Sequence, residues 1–422
     1  MNERFDALTE CRDCGLLQQL PDVPDGALAA CSRCDAMLHQ QRRYTLPLSF
    51  ACSAIGLVLF VLAFWLPMAS VAMPGGRAAT SDLLTGTELL RRAGAWELAG
   101  VVVLTLLVLP GFDLGATLAM SVGVWLGTVP RWVRRAFAAL PTLSSWAMVE
   151  VFLLGATISL VRLRAWMHVE FGLASFALAG VALCSLGIGA ALDRRALWAR
   201  VPLGPSAPQS SASARVISCA GCELVGAADD GAPCPRCSRT LHGRKPQSVH
   251  RTWALLAAAA LLAIPANVLP VMTIVKAGVG GPSTIMGGTV ELVEHGFWLL
   301  ALLVFVASIV VPVFKLAALC TLLICTSRGL TGRLRLRTKV FRVVTFIGRW
   351  SMLDIFATMT LVELARFGWL GSVRPGAGAT AFCAVVVLTM LASEAFDPRL
   401  MWDAAGQNEG RALERRHDWR LA

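Results

Sequence analysis

The sequence predicts an all-α polytopic membrane protein built from two tandem modules. Each module is a small cysteine-bearing head followed by four transmembrane helices. Three observations predict it. The 422 residues are 56% hydrophobic and only 15% charged, where soluble domains carry roughly 25% charged residues, and mean hydropathy is +0.64. Several apolar runs reach the ~20 residues that a helix needs to cross a bilayer. The chain also repeats itself, so that Cys31 returns at Cys234 and Trp146 at Trp350.

The expected spans of the first module are Leu46–Leu66, Leu98–Leu109 continuing through Leu114–Leu126, Val149–Val161 and Phe171–Leu192. Glu150 and Arg162 bracket the third of these. In the second module they are Trp253–Val275, Phe297–Cys325, Val343–Leu364 and Ala377–Ala395. The N-terminus is polar, acidic and cysteine-bearing, unlike a basic region followed by an apolar one, so the first span is expected to act as its own insertion signal. Net charge is +11, and its placement matters more than its sum. Arg42-Arg43, Arg131/Arg134/Arg135, Arg194-Arg195 and the run from Arg328 to Arg342 fall at alternate ends of the spans. Excess arginine marks the cytoplasmic side, which puts both termini and the linker there. Arg91, Arg92, Arg162 and Arg164 fall on the other side. The basic charge is thus read as topology, not as a nucleic-acid surface.

The repeat runs the length of the chain. "CSRCDAMLHQQR" at Cys31 matches "CPRCSRTLHGRK" at Cys234. Leu66-Pro67 matches Leu269-Pro270, and Pro110 falls on Pro312. "WAMVEVF" at Trp146 matches "WSMLDIF" at Trp350, and "ALDRRALW" at Ala191 matches "AFDPRLMW" at Ala395. The resulting division is a head over 1–45, a membrane module over 46–200, a Pro/Ser/Ala-rich linker over 201–216, a second head over 217–250, a second module over 251–405 and a tail over 406–422. Because both modules begin and end on the same side, the repeats are parallel.

Each head carries two CxxC pairs: Cys11 and Cys14 with Cys31 and Cys34, then Cys219 and Cys222 with Cys234 and Cys237. Two such knuckles can offer four thiolates to one tetrahedral ion. The expectation is one structural zinc per head in a rubredoxin-like zinc ribbon, with rubredoxin-type iron as the alternative. A reducing cytosol argues against structural disulfides. Four thiolates close the coordination shell, which favours a structural over a catalytic metal. His39 and His242 follow at matching places and read as surface residues. Cys52, Cys184, Cys320, Cys325 and Cys383 read as small apolar residues of the spans.

Charged residues inside spans are costly and usually functional. Lys315 lies about 10 residues, roughly 15 Å, from one end of the Arg328–Arg342 loop, and Asp354 about 13 residues, roughly 20 Å, from the other. The two could meet as an ion pair between antiparallel helices, either as a structural pin or as a proton-relay or substrate-coupling pair. Pro312 would loosen the helix beside Lys315 and free a carbonyl. The first module holds two acids at the matching places, Asp113 and Glu150, and no base. Two amphipathic segments, "TSDLLTGTELLRRAGAW" and "STIMGGTVELVEHGFW", read as short periplasmic helices or re-entrant hairpins, candidate docking surfaces for a periplasmic partner. No GxxxxGK[ST] occurs, so no nucleotide site is expected.

The paired CxxC heads, the four-span module, the "GT…GxW" segments and above all "RWSMLDIF" resemble the paraquat-inducible protein A family, which includes the LetA proteins, over essentially the whole chain. The resemblance implies a bacterial inner-membrane protein, not an enzyme, that loads phospholipid into, or unloads it from, a periplasmic MCE-domain tunnel protein. It places the family's polar site on Lys315 and Asp354, with Thr360 and Ser351 beside them, and zinc on the eight head cysteines. Two other readings stay open: a membrane redox protein or sensor using the cysteine heads, and a passive anchor for the tunnel protein.

Overall fold

The structure is a computed structural model that describes residues 8–20, 23–24, 26–42, 45–72, 78–164, 169–204, 215–276, 279–294, 296–365 and 371–406. Most of the linker and nearly all of the tail lie outside the described residues. Seven helical segments among the described residues are long and apolar enough to cross a membrane. The chain is a multi-pass membrane protein.

The two halves repeat one order of elements. In the first half, α1 (Thr45–Trp65) leads to the hairpin β5 (Ala69–Ala72) and β6 (Ala78–Ser81), then to α2 (Leu83–Arg92). Next come α3 (Trp96–Val102), a π-helical turn (Val103–Val108) and α4 (Leu109–Trp125). Then α5 (Arg131–Leu143) and α6 (Val149–Arg164) flank a 3-10 turn (Ser144–Trp146). Strand β7 (Val169–Phe171), α7 (Leu173–Ala191) and α8 (Arg194–Ala199) close the half. The second half repeats this as α9 (Ser248–Val268), β10 (Met272–Lys276), β11 (Val279–Ser283), α10 (Ile285–Glu294) and α11 (Trp298–Phe305). A second π turn (Val306–Val310), α12 (Val311–Ser327), α13 (Leu334–Gly348), a 3-10 turn (Arg349–Met352) and α14 (Leu353–Ala365) follow. Strand β12 (Gly371–Pro375), α15 (Ala377–Ala395) and α16 (Arg399–Asp403) end it.

Three expectations change. The chain is mostly helical and not all-α, because each half carries an antiparallel three-stranded sheet, β6-β5-β7 and β11-β10-β12. The span expected over Trp253–Val275 stops at Val268. Pro270 cannot supply the backbone donor a helix needs, and the β-branched run after it pairs Met272–Lys276 with β11 and β12. Phe171 likewise belongs to β7. The segment expected over Val343–Leu364 is split between α13 and α14, where Arg349 and Asp354 interrupt the apolar run. The two amphipathic segments resolve as short helices, α2 and α10, each following a hairpin.

Local chemistry explains the repeated irregularities. Pro110 and Pro312 each sit just after a π turn. A proline inside a helix removes a donor and displaces the preceding turn's carbonyl, and a π turn absorbs that misfit without ending the helix. Gly172 and Gly376 precede α7 and α15 at matching places. A Cβ on either would lie 2.1 Å from Pro67 O or 2.2 Å from Pro270 O, a clash that only glycine avoids. This close approach lets Gly172 N donate to Met68 O and Gly376 N to Val271 O, each at 2.8 Å.

The halves meet along α6 and α14, the helices that carry the repeated Trp-containing motif. Phe152 and Phe356, both fully buried, stack edge to face with centroids 5.6 Å apart. Gly155 faces the backbone of α14: a Cβ there would sit 3.0 Å from Leu353 O and 3.1 Å from Ala357 N. Ser159 Oγ crosses the same seam to Ala357 O at 2.8 Å. Nearby, Glu394 Oε1 accepts from Trp146 Nε1 at 2.5 Å and from Ser145 Oγ at 3.0 Å. Alanine at position 190 stands where Glu394 would be repeated, and the matching Trp350 is 39% exposed against 9% for Trp146. The latch is therefore one-sided.

Gly155→Ala should force α6 and α14 apart and destabilise the protein by about 1–3 kcal/mol, the usual cost of overpacking. Thermal unfolding in detergent reads this directly, with Gly100→Ala as control, since a Cβ at Gly100 meets nothing within 4 Å.

Candidate metal centres and intramembrane polar site

The heads are built from β1 (Leu8–Glu10), β2 (Leu17–Gln19), β3 (Leu28–Ala30) and β4 (Met37–Gln40) in the first, and from β8 (Arg215–Ser218) and β9 (Val225–Ala228) in the second. All four knuckles share one backbone path. The residue after each second cysteine donates to the carbonyl of the first: Gly15 to Cys11 (2.9 Å), Asp35 to Cys31 (3.0 Å), Glu223 to Cys219 (2.9 Å) and Ser238 to Cys234 (2.9 Å). Each of these four residues has positive φ, between 56° and 72°. Glycine adopts that region freely; the other three pay roughly 1–2 kcal/mol apiece. Strain tolerated at the same place three times indicates that the turn itself is required.

The turns converge the sulfurs. Cys11 and Cys34 Sγ lie 3.5 Å apart, Cys14 and Cys31 3.6 Å, and the pairs Cys219–Cys237 and Cys222–Cys234 3.5 Å each. All four sulfurs of a head lie within 4.8 Å of one another and all eight cysteines are buried. Thiolates bound tetrahedrally at about 2.3 Å stand about 3.8 Å apart, close to this spacing, whereas a disulfide needs about 2.05 Å. Each cluster can hold one metal ion. His39 and His242 are not among the ligands: His39 Nε2 lies 3.7 Å from Asp193 Oδ2 and His242 Nδ1 3.6 Å from Asp230 Oδ2.

The heads are crossed. The head-1 cysteines share a hydrophobic cluster with Leu319, Phe341, Phe396 and Trp402 of the second half. The head-2 cysteines share one with Phe137, Leu140, Leu197 and Trp198 of the first. Polar bonds tie head 1 to its seat. Arg342 Nε meets Asp13 Oδ2 at 2.5 Å, and Arg342 Nη2 donates to Cys34 O at 3.0 Å. Glu10 Oε1 accepts from Arg399 (3.1 Å) and Arg244 (3.3 Å), while Arg244 also holds Asp403 at 2.7 Å. Arg33 donates to Cys14 O and covers the Trp402 ring at 4.6 Å. Asp397, buried behind Arg399, is raised by burial, but Arg399's hydrogen bonds and charge and backbone donors from Lys245 and Arg399 hold its carboxyl below the usual range. The heads touch each other through Arg12 and Glu223 at 2.6 Å.

Lys315, on α12, is fully buried. Its ammonium lies over Gly348 of α13, where a Cβ would stand 3.6 Å from Nζ. Among the described residues Nζ has no hydrogen-bond acceptor, and neither Ser351 Oγ nor Ser308 Oγ has a partner. Ser308 belongs to the π turn and Ser351 to the 3-10 turn, and these two turns touch. An ammonium and two buried hydroxyls thus stand in one half with their bonding capacity unused, a costly state in an apolar interior. Thr360 is buried and donates to Phe356 O at 3.0 Å. Asp354 is the second residue of α14, and its side chain lies outside the described residues.

The first half solves its charges differently. Asp113 lies within electrostatic reach of Glu150 and of Arg194. Arg194 packs over the Phe137 ring at 5.3 Å. Burial and Arg12 pull its pKa down to about 10 while Asp113 and Glu223 raise it, so it stays charged at neutral pH. It is the basic group within electrostatic reach of Asp113. The signal was present in the sequence, since Arg194 stands where the repeated motif has Pro398.

Comparison with known proteins follows this geometry. The family described as Paraquat-inducible protein A matches residues 46–202 and 249–406, which are the two halves. The chain belongs to the paraquat-inducible protein A family. It is 33% identical over 419 residues to "Intermembrane transport protein PqiA" of Escherichia coli (strain K12), covering 94% of this chain and 96% of that protein. It is 29% identical over 398 residues to "Lipophilic envelope-spanning tunnel protein A" of the same strain, covering 93% and 91%. It is 26% identical over 411 residues to "Probable intermembrane transport protein" of Haemophilus influenzae, covering 94% and 95%. No solved structure matches the chain.

In this family member the seat residues Glu10, Arg244, Arg342 and Arg399 and the latch residue Glu394 escaped the sequence reading. Arg342 was absorbed into the topology count, and nothing in a single sequence marks a head as docking on the opposite half.

Relieving the knuckle strain should stabilise the heads. Asp35→Gly and Ser238→Gly are each expected to gain about 1 kcal/mol, seen as slower metal loss to a chelator. Cys34→Ser should lower bound metal from two ions per chain to one by elemental analysis.

Proposed function

We propose that this chain is the inner-membrane component of an intermembrane lipid transport system, passing phospholipid to or from a periplasmic MCE-domain tunnel protein. The names of the relatives support intermembrane transport for them, and nearly full-length coverage carries that reading to this chain. The observation that carries the membrane site is Lys315: a buried ammonium without an acceptor among the described residues, in the half that also holds two unpartnered serine hydroxyls in turns that touch. A helix interior that only anchored a partner would have no use for such a group, since an unpaired charge inside a bilayer costs several kcal/mol.

In this reading Lys315 and Asp354 form the working polar site, with Ser351 and Thr360 lining it and Ser308 added from the geometry. A proton moving between the lysine and the aspartate would let the site alternate between charged and neutral states. Zinc is the metal that suits the heads, because four buried thiolates favour a closed tetrahedral site; when bound, it would hold the two knuckles of each head together. Both termini and the heads face the cytoplasm, where the arginine clusters lie, and α2, α10 and the two sheets face the periplasmic partner.

Native mass spectrometry of the detergent-purified protein tests the proposal. Wild type is expected to carry phospholipid. Lys315→Ala and Lys315→Met should change lipid occupancy at normal abundance and metal content. Equal occupancy in all three would leave the chain a passive anchor, and iron in place of zinc would favour a redox role.

A further inference from the structure

The two heads are alike in ligands, but their seats are not alike in charge. Position for position, Asp13 of the first head-1 knuckle corresponds to Gly221 in head 2, and Arg342 of α13 corresponds to Ala138 of α5. Both pairs meet in the structure. Arg342 and Asp13 form an ion pair at 2.5 Å. Gly221 lies so close on Ala138 that a Cβ would stand 2.8 Å from Ala138 Cβ. One seat therefore has a partly exposed charge pair where its repeat has a van der Waals contact.

The guanidinium of Arg342 reaches past Asp13 to the cluster itself, with Nη2 3.5 Å from Cys34 Sγ. In head 2 the nearest counterpart, Arg239, donates to Ala138 O at 3.1 Å and not to sulfur. Among the described residues no charged side chain makes a hydrogen bond to Cys219, Cys222, Cys234 or Cys237. Four thiolates around a divalent ion carry two net negative charges. A cationic N–H donor on one sulfur offsets part of that charge and withdraws electron density from the thiolate. Thiolate character controls attack on carbon electrophiles.

We propose that the two metal clusters are chemically unequal: Arg342 shields the head-1 thiolates, and the head-2 cluster is the first to react with an electrophile and surrender its metal. This rests on the reading of the heads as metal sites. With iodoacetamide, a bound thiolate forms an S–C bond and expels iodide. The resulting thioether is a poor ligand, so the metal–sulfur bond breaks and the ion leaves to a chelator in solution.

The test uses the full-length protein in detergent, with native mass spectrometry counting metals and peptide mapping locating alkylated cysteines over time. The starting count tests the underlying reading by itself: two metals per chain support it, and none would end it. From a two-metal start, the head-2 cysteines should be alkylated several-fold faster than those of head 1, in step with loss of the first metal. Arg342→Ala should raise the head-1 rate to that of head 2 while the head-2 rate, an internal reference for folding, stays unchanged. Glu10→Gln removes the negative charge that Arg399 and Arg244 hold on head 1 without touching Arg342 and should leave head 1 slow. Equal rates in the wild type, an unchanged head-1 rate in Arg342→Ala, or a rise in Glu10→Gln matching that of Arg342→Ala would each overturn the proposal; the last would show that docking, not the guanidinium, protects the sulfurs.

Discussion

The contact between α6 and α14 is the constraint on which the rest of the architecture depends. Within a bilayer the hydrophobic effect does not draw helices together, so close packing and hydrogen bonds must do it. Gly155 opens the surface of α6 to the backbone of α14, Ser159 bonds across to Ala357, and Phe152 meets its own repeat, Phe356. One repeated pair, Phe152 and Phe356, thus faces itself across the seam.

On that near-symmetric frame the chain places unequal chemistry. The first half places Arg194, from just outside the span, within electrostatic reach of Asp113. The second half keeps Lys315 unpartnered among the described residues, and Ser308 and Ser351 likewise, in two helix irregularities that touch. The π turn at Val306–Val310 and the 3-10 turn at Arg349–Met352 free backbone from regular helical bonding, which is tolerated at membrane depth where protein encloses it. The Trp146–Glu394 latch closes one side of the seam while Trp350 stands open on the other. The repeat supplies the scaffold, and departures from it mark where the halves differ in chemistry.

Much of this was legible in the sequence. Most span positions followed from apolar run length, though not the end of the one over Trp253–Val275 nor the one over Val343–Leu364; the repeat followed from quoted motifs and the cysteine clusters from CxxC spacing, because each is a local property of the chain. The two sheets were not legible, since "MTIVK" is as apolar as the helix before it and only Pro270 hinted at the change. Ser308 was hidden among apolar neighbours, and its exposure to the polar site depends on a π turn. The electrostatic influence of Arg194 on Asp113 was not legible either, because it depends on where α8 lies after the last span of that half. The crossed heads were the least legible feature of all: the residues that decide them, Asp13 with Arg342 and Gly221 with Ala138, are far apart in sequence and ordinary in kind.

The crossing also imposes an order on how the protein is made. Synthesis runs from the N-terminus, so head 1 leaves the ribosome first, yet Arg342, Arg399 and Trp402, on which it sits, emerge near the end. Head 1 must therefore wait, folded around its own cysteines but undocked, while both sets of helices are inserted. Head 2 finds Ala138 and Trp198 already in place. Only when α16 appears can head 1 close over the second half, so that one late docking step fastens an early-made head to a late-made seat.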